Sequence, residues 1–147
     1  MAVAKIGALQ NQRITTASFN CNRLQIPIRS QSFMTEIAHR RFDIICIPES
    51  GLNSFTTQQI INAIAPRNYL VIHRPRPATA ANPRGGGICV SYRNNLQVTM
   101  NTTGYQTNFD LLEFTATSNF GRNTVISVVY ILHTFTIHTL QQTSIVI

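Results

Sequence analysis

Apolar positions recur along this chain with two different periods, and the order in which they alternate outlines a fold. Ile14-Thr15-Thr16-Ala17-Ser18-Phe19 and Phe42-Asp43-Ile44-Ile45-Cys46-Ile47-Pro48 are short, mainly apolar runs that read as strands. Between them, Phe33, Met34, Ile37, Ala38 and Phe42 fall on one face of a helix over residues 31–42. Arg40 and Arg41 close that helix, where its dipole favours cations. Such a unit has the length of a βαβ crossover, roughly 30 residues. The crossover makes its two strands parallel, so both end on the same edge of one sheet. Farther on, Thr56-Thr57-Gln58-Gln59 resembles a capping box with Thr56 as N-cap. Ile60, Ile61 and Ile64 continue a short helix that Pro66 stops.

The remainder reads as β structure. Tyr69 to His73 is a strand, and residues 74–87, rich in proline and glycine, form a loop. Ile88 to Tyr92 is the next strand and Arg93-Asn94-Asn95 a turn. Leu96 to Met100, Phe109 to Thr117 and Thr124 to Leu132 follow as strands, the last two joined by a hairpin at Asn119 to Asn123. The pattern divides the chain into a loose leader (1–13), one domain (14–130) and an atypical apolar tail (131–147) that has no charged residue.

Composition narrows the function classes. No apolar run approaches the ~20 residues of a bilayer span, and there is no secretory segment, so no membrane partner is expected. Twelve basic residues against five acidic ones give a formal charge of +7, which suits a polyanionic partner such as nucleic acid. The three cysteines, Cys21, Cys46 and Cys89, lack metal-site spacing, and the last two sit in apolar runs as core residues.

The candidate chemistry lies just past the first two strands. Asn20 and Asn22 follow one, and Glu49 follows the other. A shared edge brings them together where open α/β sheets hold ligands. An amide oxygen beside a carboxylate suits a hard cation such as Mg²⁺. The plainer alternative is that the asparagines are turn residues and Glu49 a surface carboxylate. Likewise, Arg74 and Arg76 among prolines read as a solvated loop, Arg84-Gly85-Gly86-Gly87 as a flexible one, and His39 and His73 as structural.

Ser18-Phe19-Asn20-Cys21-Asn22-Arg23-Leu24 resembles the opening strand of the endonuclease/exonuclease/phosphatase superfamily, and Phe42 to Ser50 resembles its second strand with the metal-binding Glu. Arg84 to Val90, Arg93-Asn94-Asn95-Leu96, Phe109 to Phe114 and Thr124 to Tyr130 resemble the subgroup carried by non-LTR (LINE-like) retrotransposons. The resemblance implies a metal site at Glu49 and Asn20 holding Mg²⁺, with Asn20, Glu49 and Tyr130 catalytic. It implies substrate contacts from Asn22, Arg74, Arg76 and Arg84 to the backbone of DNA or RNA. It also implies work on chromosomal DNA, hence in the nucleus.

Departures from the pattern shape the expectation. Pro48 replaces the usual Gln before Glu49, and Ile131-Leu132-His133 stands where the subgroup has Arg-Pro-Pro. The family's Asp-x-Asn strand end and terminal Asp-His pair are missing. The expectation is therefore an α/β fold that is the N-terminal half of a four-layer α/β/β/α sandwich, one mixed sheet with helices on one face. The other face is expected to be uncovered and prone to self-association. The expected function is that of a truncated or frame-slipped retroelement endonuclease domain with little or no catalytic activity. The alternatives are a basic fragment that binds nucleic acid without cutting it, and a product with no selected role.

Overall fold

The computed structural model describes residues 13–19, 27–77, 79, 86–106, 109–131 and 145–146. Strand β1 (Thr16–Ser18), helix α1 (Pro27–Arg40) and strand β2 (Ile44–Pro48) form the expected βαβ unit. β1 and β2 are parallel, with Thr16 opposite Ile44 and Ser18 opposite Cys46. Helix α2 (Gln58–Ile64), β3 (Tyr69–Arg74) and β4 (Ile88–Arg93) complete a mixed sheet of order β1-β2-β4-β3. β4 runs antiparallel to both its neighbours.

Several boundaries differ from the sequence expectation, with α1 ending at Arg40 and the strand expected to stop at Met100 running on to Gln106. α1 begins at Pro27, a residue whose fixed φ suits the first helical turn. The cap of α2 is Thr57, whose hydroxyl accepts from the Ile60 amide at 3.4 Å. The Thr56 hydroxyl instead accepts from the Asn53 amide at 2.9 Å, so it closes the preceding turn.

Both helices lie on one face of the mixed sheet. Phe33 and Ile37 of α1 and Ile64 of α2 pack with Ile45, Ile47 and Cys89. The alternation of β2 sends Ile44 and Cys46 to the opposite face, with Ile88, Val90 and Tyr92 of β4.

That opposite face is where the expectation of a bare surface is overturned. A second sheet, antiparallel and of order β5-β6-β7-β8, covers it. Its strands are β5 (Gln97–Gln106), β6 (Phe109–Thr117), β7 (Asn123–Ile131) and β8 (Ile145–Val146). Burial alternates without a break along β6, which places Leu112, Phe114 and Ala116 against the mixed sheet. Ile126 and Val128 of β7 join them. The layers are thus helices, mixed sheet, antiparallel sheet, and among the described residues the second face of the mixed sheet is covered. The described part of the tail adds β8 to the edge of the second sheet, beside Val125 and Ile126. Residues 132–144 lie outside the described residues.

The hairpin between β6 and β7 closes as expected, with the Ser118 amide donating to the Arg122 carbonyl and Gly121 at φ +73°. Cys46 and Cys89 are buried free thiols, and burial pushes the Cys46 thiol up to about 12. Among the described residues, no helix is long and apolar enough to cross a membrane.

Phe114 is fully buried between the sheets, whereas Phe120 in the hairpin is 54% exposed. Phe114→Ala is expected to cost about 3–5 kcal/mol, and Phe120→Ala to stay within about 0.5 kcal/mol of wild type. Urea unfolding of the two variants measures the contrast.

Candidate active site

Parallel pairing carries β1 and β2 out at the same edge of the mixed sheet. The Phe19 amide donates to the Cys46 carbonyl at 2.9 Å, so the chain reaches this edge immediately before Asn20. Asn20, Asn22 and Arg84 themselves lie outside the described residues. Glu49 follows β2 directly and sits at φ +56°, in the left-handed region that a residue with a Cβ seldom occupies.

The turn holds that conformation from the next two residues. The Ser50 amide donates to the Gly87 carbonyl at 3.1 Å and the Gly51 amide to the Gly86 carbonyl at 3.0 Å. Ser50 is itself fully buried, and its hydroxyl accepts from the Leu52 amide. A backbone strained at one residue and fixed at the two after it is a common device for aiming a functional side chain.

The second sheet supplies the partner. Tyr130, next to last in β7, donates its hydroxyl hydrogen to the Glu49 carboxylate. Burial, followed by the Glu49 charge and this hydrogen bond, pushes the Tyr130 phenol up to about 12. Glu49 and Tyr130, both expected as site residues, therefore meet although they come from different sheets.

Directly across from Tyr130 in the ladder is Asp110. It occupies an inward position of β6, in register with Leu112, Phe114 and Ala116. Its counterion is Arg76, two residues beyond β3. Arg76 Nε lies 3.2 Å from both carboxylate oxygens, and the two side chains are 1% and 6% exposed. The Gly87 amide donates to the same carboxylate at 3.4 Å. The Arg76 guanidinium also lies 6.0 Å from the centre of the Tyr130 ring, a cation–π distance.

Gly86 makes room for this arrangement. A Cβ there would sit 2.2 Å from Arg76 Nη2, and the residue adopts φ +64°. At Gly87 a Cβ would lie 2.7 Å from the Leu52 carbonyl oxygen. The triple-glycine segment is thus a close-packed crossing at these two positions rather than the flexible loop expected. Arg76 is correspondingly an internal residue of the site and not part of a solvated loop. Arg74 is exposed, and its Nε contacts Met100 Sδ at 3.3 Å.

Asp110 is the member that sequence reasoning missed. The signal was present: the alternation of residues 109–117 puts an acid on the apolar face, and a buried charge requires a partner. His73 is half-buried, with Nδ1 unpartnered among the described residues, and burial, then Arg74, lowers its pKa below 6.5. His39 is exposed on α1.

The fit of a divalent cation rests on Glu49. Among the described residues no group of three or more His, Cys, Asp or Glu side chains is placed to hold a metal. Mg²⁺ does not require such a cage, since it typically takes one or two carboxylates and fills its octahedron with water and phosphate oxygens. A carboxylate that accepts one phenolic hydrogen bond retains lone pairs for a metal. Glu49 fits that sparse mode. Asp110, engaged by Arg76 and Gly87, does not.

Comparison with known proteins gives the fold. No family model matches the chain, and no curated protein does. Among solved structures, the catalytic domain of human Nocturnin, determined with a bound sulfate anion, is similar at 17% identity with a TM-score of 0.54. The alignment covers 78% of this chain and 48% of that one. An AP endonuclease from Archaeoglobus fulgidus is similar at 12% identity and TM-score 0.45, over 77% and 40% of the two chains. The 3′ phosphatase NExo from Neisseria, bound to a product DNA hairpin, is similar at 16% identity and TM-score 0.46, over 76% and 38%. The likeness to Nocturnin supports an α/β fold of the same kind for this chain. The chain spans less than half the length of each.

Two measurements probe the site. Arg76→Met leaves Asp110 buried without its counterion and is expected to destabilise the fold by about 3–5 kcal/mol. Adding Asp110→Leu is expected to recover most of that loss in urea melts. The raised Tyr130 pKa also has a defined sign. Its stabilising contribution is complete below the ordinary tyrosine value of 10.0 and is lost as pH rises from there through about 12. Stability measured across that window is expected to fall less steeply in Tyr130→Phe than in wild type.

Proposed function

We propose that this chain carries one half of a Mg²⁺-dependent phosphodiesterase site of the kind used by the endonucleases of non-LTR retrotransposons. We propose further that its residues alone hold a DNA phosphate without hydrolysing the ester. The observation that carries this reading is the meeting of Glu49 and Tyr130 at the edge where β1 also ends.

The residue roles follow from chemistry. Glu49, with Asn20 by resemblance, holds Mg²⁺. Bound there, the ion would supply polarisation of a phosphoryl oxygen and, in a complete site, stabilisation of a leaving oxyanion. Tyr130 keeps its proton at neutral pH, because its pKa lies near 12. With a phosphate bound, its one hydroxyl hydrogen would turn from the Glu49 carboxylate to a phosphate oxygen, so it serves as a donor and not as a base. Arg74 is exposed near this end and meets the backbone, a sequence-independent contribution weakened by salt. Asn22 and Arg84 keep the backbone contacts that the resemblance gives them. Arg76 acts from inside, by fixing Asp110 and the Tyr130 ring.

The lack of cutting follows from a census of carboxylates. The chain contains five acidic residues, and four have other work. Glu36 pairs with Arg40 on α1. Asp43 binds the Thr15 amide and hydroxyl at 2.8 Å, at the opposite end of β2. Asp110 holds Arg76, and Glu113 accepts from the Ser127 hydroxyl at 2.9 Å. None remains to orient a water molecule in line with a scissile bond, and phosphoryl transfer requires that positioning together with charge stabilisation.

A plasmid-nicking assay run beside Mg²⁺ titration tests both parts. Supercoiled DNA is expected to stay intact with Mg²⁺ present. Amide resonances of Glu49 and Ser50 are expected to shift saturably with Mg²⁺, and to stop doing so in Glu49→Gln. Nicking that Glu49→Gln abolishes would show a complete catalytic site. Resonances indifferent to Mg²⁺ would remove the metal from the account.

A further inference from the structure

The opposite end of the mixed sheet holds a second feature of defined chemistry. Where β2 and β3 begin and β4 ends, an open cavity of about 380 Å³ is lined by Arg41, Arg67 and Arg93 with Asn68, Asn94 and Asn95. It lies roughly 17 Å along β2 from Glu49, at ~3.3 Å per residue. It shares no lining residue with the site described above.

The cavity is organised around Arg93. Its Nη2 donates to the Arg41 carbonyl at 3.0 Å, its Nε lies 3.5 Å from Asp43, and its guanidinium stacks 5.9 Å from the Tyr69 ring centre. Tyr69 is anchored in turn by its hydroxyl, which donates to the Phe42 carbonyl. Two residues at the rim take left-handed backbone conformations, Arg41 at φ +57° and Asn68 at φ +68°. The Asn94 amide donates to the Asn68 carbonyl at 2.9 Å, which ties the β4–β5 turn to the turn before β3.

The charges in this cavity do not cancel. Among the described residues Asp43 makes its ion pair with Arg93 alone. Arg41 and Arg67 are exposed and make no ion pair among the described residues. Two guanidinium groups thus share one concavity with asparagine amides and no second carboxylate. Guanidinium forks match the oxygens of a phosphate in geometry and charge, and neutral amides add donors without repelling an anion.

From this geometry we propose that the cavity bounded by Arg41, Arg67 and Arg93 is a phosphate-binding site, separate from the Glu49–Tyr130 edge. The phosphate arrives either as a free anion or as part of a nucleic-acid backbone, and the two sources give different results in solution.

The test compares wild type with Arg41→Ala/Arg67→Ala, both exposed positions, and with Arg13→Ala/Arg122→Ala, which removes the same charge elsewhere on the surface. In one arm, inorganic phosphate is titrated against the amide resonances of Asn68 and Asn94. In the other, binding of a short DNA duplex is followed by anisotropy as salt is raised. For a free anion, the cavity variant is expected to bind phosphate about tenfold or more weakly, with the duplex arm unchanged. For a backbone phosphate, the salt slope is expected to fall by about 1–2 in the cavity variant, at ~0.9 per phosphate contact. Equal behaviour of cavity variant and wild type in both arms overturns the proposal. So does an equal loss in the charge-matched control, which would reduce the effect to net charge. Neither arm depends on Mg²⁺ or on Glu49, so failure of the nuclease reading leaves this result intact.

Discussion

The buried ion pair between Arg76 and Asp110 is the constraint on which the candidate site rests, because it joins the two sheets at the end where the chemistry lies. Arg76 follows a strand of the mixed sheet, and Asp110 begins an inner strand of the antiparallel one. Neither charge is tolerable in that position without the other. Their pairing sets the separation of the sheets there, and with it the distance between Glu49 and Tyr130. Apolar packing along Ile44, Val90, Leu112 and Phe114 brings the layers together, but it is non-directional and would accept small slips. A two-oxygen contact to one nitrogen, with a backbone amide on the same carboxylate, fixes the register.

The glycines belong to the same device. Gly86 lets the guanidinium lie flat against the backbone, and Gly87 reaches both the Asp110 carboxylate and the Ser50 amide. Through Ser50 and Gly51, the segment that seats the ion pair also holds the turn that presents Glu49. Placement of the carboxylate and of the phenol thus has a common origin in the crossing of residues 86–87 over the loop after β2.

The elements were legible where the pattern was periodic. The βαβ unit, the parallel orientation that follows from its length, and the hairpin expected at Asn119 to Asn123 all came from spacing and turn chemistry. The pairing of Glu49 with Tyr130 was not readable from periodicity, since it joins positions far apart in sequence and in separate sheets. The end of the second strand supplied Glu49, resemblance supplied Tyr130, and geometry brought them together. The second sheet was misjudged for a definite reason. Its strands were identified one by one, but a strand sequence does not state which sheet it joins, and β5 to β7 were assigned to the sheet already in hand. Asp110 was overlooked because it lies far along the chain from the polar residues that follow the first two strands. Its place in the β6 alternation should have marked it as inward-facing. Arg76 was misread because Arg-Pro-Arg-Pro has the composition of an exposed loop, and composition cannot report a partner more than thirty residues away.

The left-handed backbone at Glu49 has a consequence for the history of the site. Such a conformation costs a side-chain-bearing residue on the order of 1 kcal/mol or more, and glycine nothing comparable. Replacement by glycine would therefore relax the chain while erasing the carboxylate. In a lineage where that carboxylate had ceased to matter, mutational drift and the advantage of a steadier fold would push the same way, and glutamate would be among the first residues to go. A glutamate at this position runs against the local preference of the polypeptide, so its retention or loss in related sequences would record whether selection acts on the carboxylate.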